Sequence, residues 1–420
     1  MPPPSHALHL LPLALFVLTY LGLAAGRLPG LALDRTGFAM LGAAAFLVTG
    51  SVSLDQAKAA LDAPTLCVLF GMMLLSAQYR HSGLYAVIAA RLAGVVNPRR
   101  LLLGTICAVA LLSALLTNDV VCFALTPLLG AVLLRTGRPA APFFLAIGCA
   151  ANLGSALTPI GNPQNILIAQ RLHLPFLHFV VVCAAPVVLS LGVLYLLLAR
   201  QVEAGWAQAP VGAAAAAAAG AAAPAAEALD RRQASKALVL TAGAIALFLS
   251  PVPAALTALG IGAAVLISRR FPTRQALAEV DWGLLALFVS LFVVQRGIEA
   301  SGWTVAARNA LLGTGLPLSH PVVLVPLAAL LSNLVSNVPA VMVLLPFVDA
   351  QPATGYALAL ASTFAGNAFL VGSIANLIVA AQAERLGIRL GFAEHLRIGL
   401  PITLVSLALA AADLLVLAPR

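Results

Sequence analysis

The sequence predicts an all-α polytopic membrane protein, an inverted repeat of two five-crossing units, each with a re-entrant hairpin and a broken helix. Three observations carry that prediction. The chain is 62% hydrophobic and 9% charged, with a mean hydropathy of +1.04, whereas soluble domains carry about 25% charged residues. Polar landmarks recur at one spacing across its two halves. Polar triplets also interrupt apolar runs where a bilayer offers unpaired groups no water.

The apolar runs follow one another in a fixed order. The first unit has spans near 8–25, 36–52 and 64–79, an amphipathic piece at 85–96, a polar-tipped segment at 101–134, a broken span at 142–170 and a last span at 176–199. The first run lacks the basic residues that should precede a cleaved signal, so it reads as a retained helix despite the small-residue stretch at 22–26. The second unit has spans at 237–250, 254–268 and 283–295, a piece at 303–313, a polar-tipped segment at 320–348, a broken span at 355–381 and a last span at 397–417.

Residues 61–85 and 280–304 align without gaps. Asp62 falls on Asp281, Ser82-Gly83 on Ser301-Gly302, Thr117-Asn118 on Ser336-Asn337 and Pro127 on Pro346, each pair 219 residues apart. Such a frame marks two copies of one unit. The expected organisation is a first repeat at 1–200 (hairpin 101–134, broken helix 142–170), a low-complexity linker at 201–236, and a second repeat at 237–420 (hairpin 320–348, broken helix 355–381). The Ala/Gly/Pro-rich linker carries no landmark.

Lys and Arg positions orient the copies. If each polar-tipped segment turns back inside the membrane, each unit crosses five times and the second copy is inverted. With both termini outside and linker 201–236 cytoplasmic, 18 of the 23 Lys and Arg residues fall on the cytoplasmic side. Full crossings by both segments would instead put Arg99 and Arg100 opposite Arg135 and Arg138. The net charge of +9 therefore reads as topology in a cytoplasmic (inner) membrane, and no nucleic-acid partner is expected. The five cysteines lie in apolar runs without metal-ligand spacing and read as small core residues.

Inverted repeats with helices broken at mid-membrane bind their substrates at the breaks. The candidate substrate and ion site is Thr117, Asn118 and Asp119 at the first tip and Ser336 and Asn337 at the second. Ser155, Thr158, Gly161, Asn162, Pro163 and Asn165 join it from the first broken helix, and Asn367, Gly372, Ser373 and Asn376 from the second. Glycine and proline there free carbonyls that suit a small hard cation, while half-helix N-termini suit an oxyanion. Asp119 faces Val338 in the repeat, so the halves are chemically unequal. It reads either as a proton or cation site or as the cap of a half-helix starting at Val120. His173, His178, His320 and His395 sit at span ends, where solvated or interfacial roles are expected. No HExxH, GxSxG or paired intramembrane acids are present, so no enzyme and no catalytic residues are expected. No Walker A motif appears, which leaves any ATPase to a separate subunit.

At "TNDVVCFALTPLL", "NLGSALTPIGNPQNILIA", "SNLVSNVPAVMVLLP" and "GSIANLIVAAQAERLG" the chain resembles the ion transporter superfamily of citrate-transporter-like proteins, divalent-anion:sodium symporters and arsenite efflux permeases. The resemblance implies ten crossings plus two re-entrant hairpins, often as a homodimer with a scaffold and a moving transport domain. It implies secondary, ion-coupled alternating-access transport of a small anion or oxyanion, with arsenite, antimonite or a carboxylate as candidates. No cofactor is expected beyond a coupling Na+ or H+, with Na+ sites near Asn118 and Asn337. Dicarboxylate symporters of the superfamily carry Ser-Asn-Thr at both tips; here the third positions are Asp119 and Val338. The Asn118-Asp119 tip looks more like arsenite permeases. A sodium/proton antiporter using Asp119 is the alternative.

Overall fold

The computed structural model describes residues 6–26, 30, 32–207, 229–315 and 317–417, so 208–228 of the expected linker lies outside the described residues. The described residues form helices and no strands. The first half supplies α1 (His6–Ala25), α2 (Arg35–Val48), α3 (Leu54–Ala60), α4 (Ala63–His81), α5 (Leu84–Ala93), α6 (Pro98–Leu115), α7 (Asn118–Arg135), α8 (Ala141–Ser155), α9 (Pro163–Arg171) and α10 (Phe176–Ala207). The second half repeats that order: α11 (Arg231–Phe248), α12 (Ala254–Leu266), α13 (Thr273–Ala278), α14 (Trp282–Ala300), α15 (Trp303–Gly313), α16 (Pro321–Val335), α17 (Asn337–Leu344), α18 (Pro352–Ala365), α19 (Ile374–Arg385) and α20 (Phe392–Leu417).

The landmarks 219 residues apart do the same local work in each half. Asp62 caps α4 by accepting from the Thr65 N–H at 3.0 Å, and Asp281 caps α14 from Leu284 at 2.8 Å. Such caps satisfy amides that a helix start leaves orphaned. Gly83 (φ 75°) and Gly302 (φ 82°) make the left-handed turns that open α5 and α15, a conformation that costs glycine little.

The halves interlock. α4 packs on α12 and α14 packs on α2, so each long helix lies against a helix of the other repeat. A Cβ on Gly71 of α4 would run into the Ala258 carbonyl of α12, and one on Gly297 of α14 into the Phe46 ring of α2. Small residues let these backbones close, as membrane helix pairs require. Arg80 near the end of α4 pairs with Glu279 just ahead of α14, so the two helices run in opposite directions.

The long α10 shows that the hairpins enter from opposite faces. Near its C-terminal end Glu203 pairs with Arg99, and Trp206 lies 4.7 Å under the Arg138 guanidinium, both at the base of the α6–α7 hairpin. Near its N-terminal end His178 Nδ1 bonds the Tyr356 hydroxyl at 3.0 Å, just past the α16–α17 hairpin. Residues 178 and 203 lie roughly 37 Å apart along the helix at 1.5 Å per residue.

Length and composition alone qualify five helices to cross a membrane (α6, α7, most of α10, α14 and α20), or six with α3 and α4 joined across a 58° bend. The ten crossings implied by the resemblance are not all visible to such a test, because α6 and α7 are the arms of the first hairpin and most of α1, with α2, α8 and α12, are short apolar helices. α11 opens on Arg231, Arg232 and Lys236. The second hairpin is also shorter on its return: Pro127 sits within α7, whereas Pro346 ends the second arm in a 3-10 turn at Leu345–Phe347.

Candidate functional site

Each hairpin tip rests on a helix break. At the first, Thr117 is extended, and the Asn118 N–H donates to the Gly161 carbonyl at 3.3 Å. At the second, Ser336 stands at φ 79°, ψ 160°, a region other residues leave to glycine and one that costs about 1–3 kcal/mol. The first tip carries no such strain, since Thr117 stands at φ −78°, ψ 133°. Asn337 Oδ1 is buried without a partner, as is Asn118 Oδ1.

The breaks are held by amides. In the first, Asn162 caps α9 by accepting from the Asn165 N–H at 2.9 Å. The Asn162 amide donates to Ser155 Oγ at 3.1 Å, and Asn165 donates to the carbonyls of Ser155 (3.3 Å) and Thr158 (3.2 Å). Thr158 in turn donates to the Ala114 carbonyl. Gly161 sits where a Cβ would overlap the Ser155 carbonyl and come within 2.9 Å of the Ser113 carbonyl. In the second, Asn376 donates to the Gly366 carbonyl at 2.8 Å, and Asn333 donates to the Ala365 carbonyl at 3.1 Å. Asn333 Oδ1 and Asn376 Oδ1 remain buried and unpartnered.

A hydrogen-bonded chain joins the two halves. Asn118 Nδ2 donates to Asn152 Oδ1 at 3.1 Å, and Asn152 Nδ2 donates to Asn367 Oδ1 at 2.8 Å. The Ser373 hydroxyl also donates to Asn152 Oδ1 at 3.0 Å. In the other direction, Thr363 Oγ1 accepts from Asn162 Nδ2 (3.1 Å) and Gln164 Nε2 (3.2 Å). Both repeats are therefore needed to complete either break.

These elements bound a cavity of ≈ 810 Å³ lined by both tips (Asn118, Asp119, Ser336, Asn337), by Pro163, Gln164 and Ser373 of the breaks, and by Asp34, Arg35 and Asp281. Of the residues expected at the site, Thr117, Ser155, Thr158, Gly161, Asn162, Asn165, Asn367, Gly372 and Asn376 do not line it. They form the buried layer that shapes the breaks. The other expected residues face the space directly.

Three expectations are corrected. α7 begins at Asn118, with no side-chain cap hydrogen bond, so Asp119 does not cap a half-helix starting at Val120. Its side chain borders the cavity instead. The α9 N-terminus offers an oxyanion less than expected, because Pro163 has no N–H and the Asn165 N–H is taken by Asn162. His395 is not solvated: it is 3% exposed, and its Nε2 donates to the Asn367 carbonyl at 2.9 Å.

Sequence reasoning missed Asn152, Gln164, Asn333 and Thr363. Asn152 and Thr363 were within reach, since they stand 211 residues apart, as Asn165 and Asn376 do. Among the described residues, no group of three or more His, Cys, Asp or Glu could hold a metal.

A citrate transporter family model matches residues 13–357. The chain belongs to the citrate transporter family. Among its relatives in this group is the rice (Oryza sativa subsp. japonica) silicon efflux transporter LSI3, 31% identical over 91% of this chain and 92% of that protein. A putative transporter, arsB, of Dictyostelium discoideum is 23% identical over 89% of this chain and 86% of its own. The crystal structure of the Alcanivorax borkumensis YdaH transporter shares the fold, with a TM-score of 0.61 over 98% of this chain and 97% of that one at 18% identity. A citrate transporter family member with crossing helices and two inverted hairpins is a membrane transporter, and its place is within the wider ion transporter superfamily.

Proposed function

We propose that this protein is an ion-coupled, alternating-access permease for a small, weakly acidic hydroxylated solute, carried as the neutral species. The observation that carries the reading is the composition of the cavity. Asn118, Gln164, Ser336, Asn337 and Ser373 offer neutral donors and acceptors, while Asp34, Asp119 and Asp281 outnumber the single base, Arg35. An anion entering there meets net negative charge, which disfavours it relative to a neutral solute. A neutral hydroxide such as arsenous or silicic acid meets hydrogen-bonding groups matched to its O–H groups. The names of the silicon efflux and arsB relatives point the same way. A citrate or dicarboxylate substrate would instead need cations bound beside it.

Coupling belongs to the same surfaces in this reading. The unpartnered Oδ1 atoms of Asn118, Asn333, Asn337 and Asn376 are hard oxygen donors of the kind a sodium ion accepts, and Asp119 is available to a proton. The linker and cavity mouth face the cytoplasm, and the chain works in the cytoplasmic membrane as a homodimer. Counterflow in proteoliposomes tests the reading: arsenite or silicic acid should exchange and respond to an imposed proton or sodium gradient, and citrate should not. Citrate transport with neither hydroxide moved would overturn it.

One observation favours sodium/proton exchange as a second reading: Asp119 makes no capping bond and borders the cavity. Asp119→Asn should abolish sodium/proton exchange if that is the activity, whereas the hydroxide permease should keep solute exchange and lose only its response to the gradient.

A further inference from the structure

α9 and α19 end alike. Leu172 and Leu386 close the helices, and His173 (φ 50°) and Gly387 (φ 78°) follow in the left-handed conformation. Leu174 then bonds back to the Ala169 carbonyl at 3.0 Å, and Ile388 to the Ala383 carbonyl at 2.9 Å. These ends are 214 residues apart, so Arg171 and Arg385 are equivalent, although the helix starts at Asn162 and Ser373 are 211 apart. α19 is thus three residues longer, about 4.5 Å at 1.5 Å per residue.

The equivalent arginines meet different surroundings. Arg171 Nε lies 2.7 Å from Asp62 Oδ2, and that carboxylate side chain is only 10% exposed. Its guanidinium also sits 5.6 Å over the Phe292 ring. α9 is packed on α4 there, and the hollow of ≈ 580 Å³ on this face, lined by Arg171, Phe292 and Met342, stops short of both tips. The repeat partner of Asp62 is Asp281, which lines the open cavity opposite Ile374, Leu377 and Ala381 of α19. Among the described residues, neither Asp281 nor Arg385 has an ionic partner.

We infer that Asp62–Arg171 and Asp281–Arg385 are alternating gates of the transport cycle, one closed in this structure and the other open. The inference rests on the alternating-access reading above. Two inverted copies that exchange conformations exchange contacts, so the state open to the other face carries α19 against α14. Arg385 then reaches Asp281 as Arg171 now reaches Asp62. Both carboxylates also cap the helices that bear them, so each gate closes on a fixed anchor.

Cysteine pairs in a protein freed of its native cysteines test this, the cross-linking itself needing no substrate. Asp62→Cys with Arg171→Cys, and Asp281→Cys with Arg385→Cys, should each cross-link, but not both in one molecule. Each cross-link should stop silicic acid counterflow, a solute that does not react with thiols, and reductant should restore it. Asp281→Arg should lose transport, and adding Arg385→Asp should recover it, a rescue unexpected for residues that are not bonded in this structure. If the Asp62–Arg171 cross-link blocks counterflow while the Asp281–Arg385 pair never cross-links and the reversed pair gives no rescue, the inner gate is wrong and alternating access stands. If both pairs cross-link in one molecule without loss of transport, the inference and the reading beneath it fail together.

Discussion

Asn152 and Thr363 hold the same place in the two repeats, 211 residues apart, and each bonds into the other repeat's helix break. Asn152 accepts from the Ser373 hydroxyl, and Thr363 accepts from the Asn162 amide. Ser373 and Asn162 are themselves 211 residues apart and stand just ahead of the equivalent half-helices α19 and α9. The pair of bonds is therefore one contact made twice, and it makes the site a joint product of both halves.

Replacing Asn152 by Ala removes the acceptor of Asn118 and Ser373 and the donor to Asn367 in a single step. Polar groups left buried and unpaired cost about 1–3 kcal/mol. Asn152→Ala should lower the midpoint of thermal unfolding and abolish counterflow. Thr363→Val, which keeps the shape and loses the hydroxyl, should weaken transport with a smaller loss of stability.

The two break glycines should differ in tolerance. A Cβ at Gly161 meets backbone, the carbonyls of Ser155 and Ser113, whereas one at Gly372 meets the Asn333 side-chain oxygen at 2.7 Å. Overpacking typically costs about 1–3 kcal/mol, and backbone yields less readily than a side chain. Gly161→Ala should be the more destabilised variant in a melting assay. Gly372→Ala should fold, with its defect confined to transport or ion dependence.

Much of this was legible in the sequence because caps and turns are local. Asp62, Asp281, Gly83 and Gly302 act within a few residues of themselves, so their spacing survives in the folded chain. The register then shifts by eight residues between Pro346 and Gln351, where the return arm of the second hairpin stops short, and beyond it Asn152 and Thr363 no longer fall in the 219 frame. Which asparagines face the cavity was not legible either. Asn118 and Asn165 look alike as residues in a break, yet the folded chain sets one beside open space and ties the other to the Ser155 and Thr158 carbonyls. His395 was misread because nothing in its own helix announces the Asn367 carbonyl it reaches.

Ser336 carries the strain of its tip. Ser336→Gly should raise stability by about 1 kcal/mol, since glycine occupies that conformation with little penalty. Thr117→Gly, at an unstrained and equivalent place, should lower it. Chemical or thermal melts of the two variants side by side check the contrast.

Acid should loosen the start of α11. Arg270, hydrogen-bonded to the Asp230 carboxylate, holds it below its ordinary range, with help from the Gln233 and Arg232 amides. A depressed folded pKa gives stability that is present above the unfolded value and lost as pH falls through the folded one. Hydrogen exchange at the Arg232 and Gln233 amides should therefore rise as pH is lowered through the acid side of the carboxylate range, after correction for intrinsic rates. Asp230→Asn should show raised exchange at neutral pH.

The claim that two inverted copies dip hairpins from opposite faces toward one site is tested most directly by thiol labelling. Arg100→Cys and Gln351→Cys, at the exposed bases of the first and second hairpins, should react with an impermeant reagent from opposite sides of sealed vesicles. Labelling of both from the same side would contradict the inverted repeat and the shared cavity built on it.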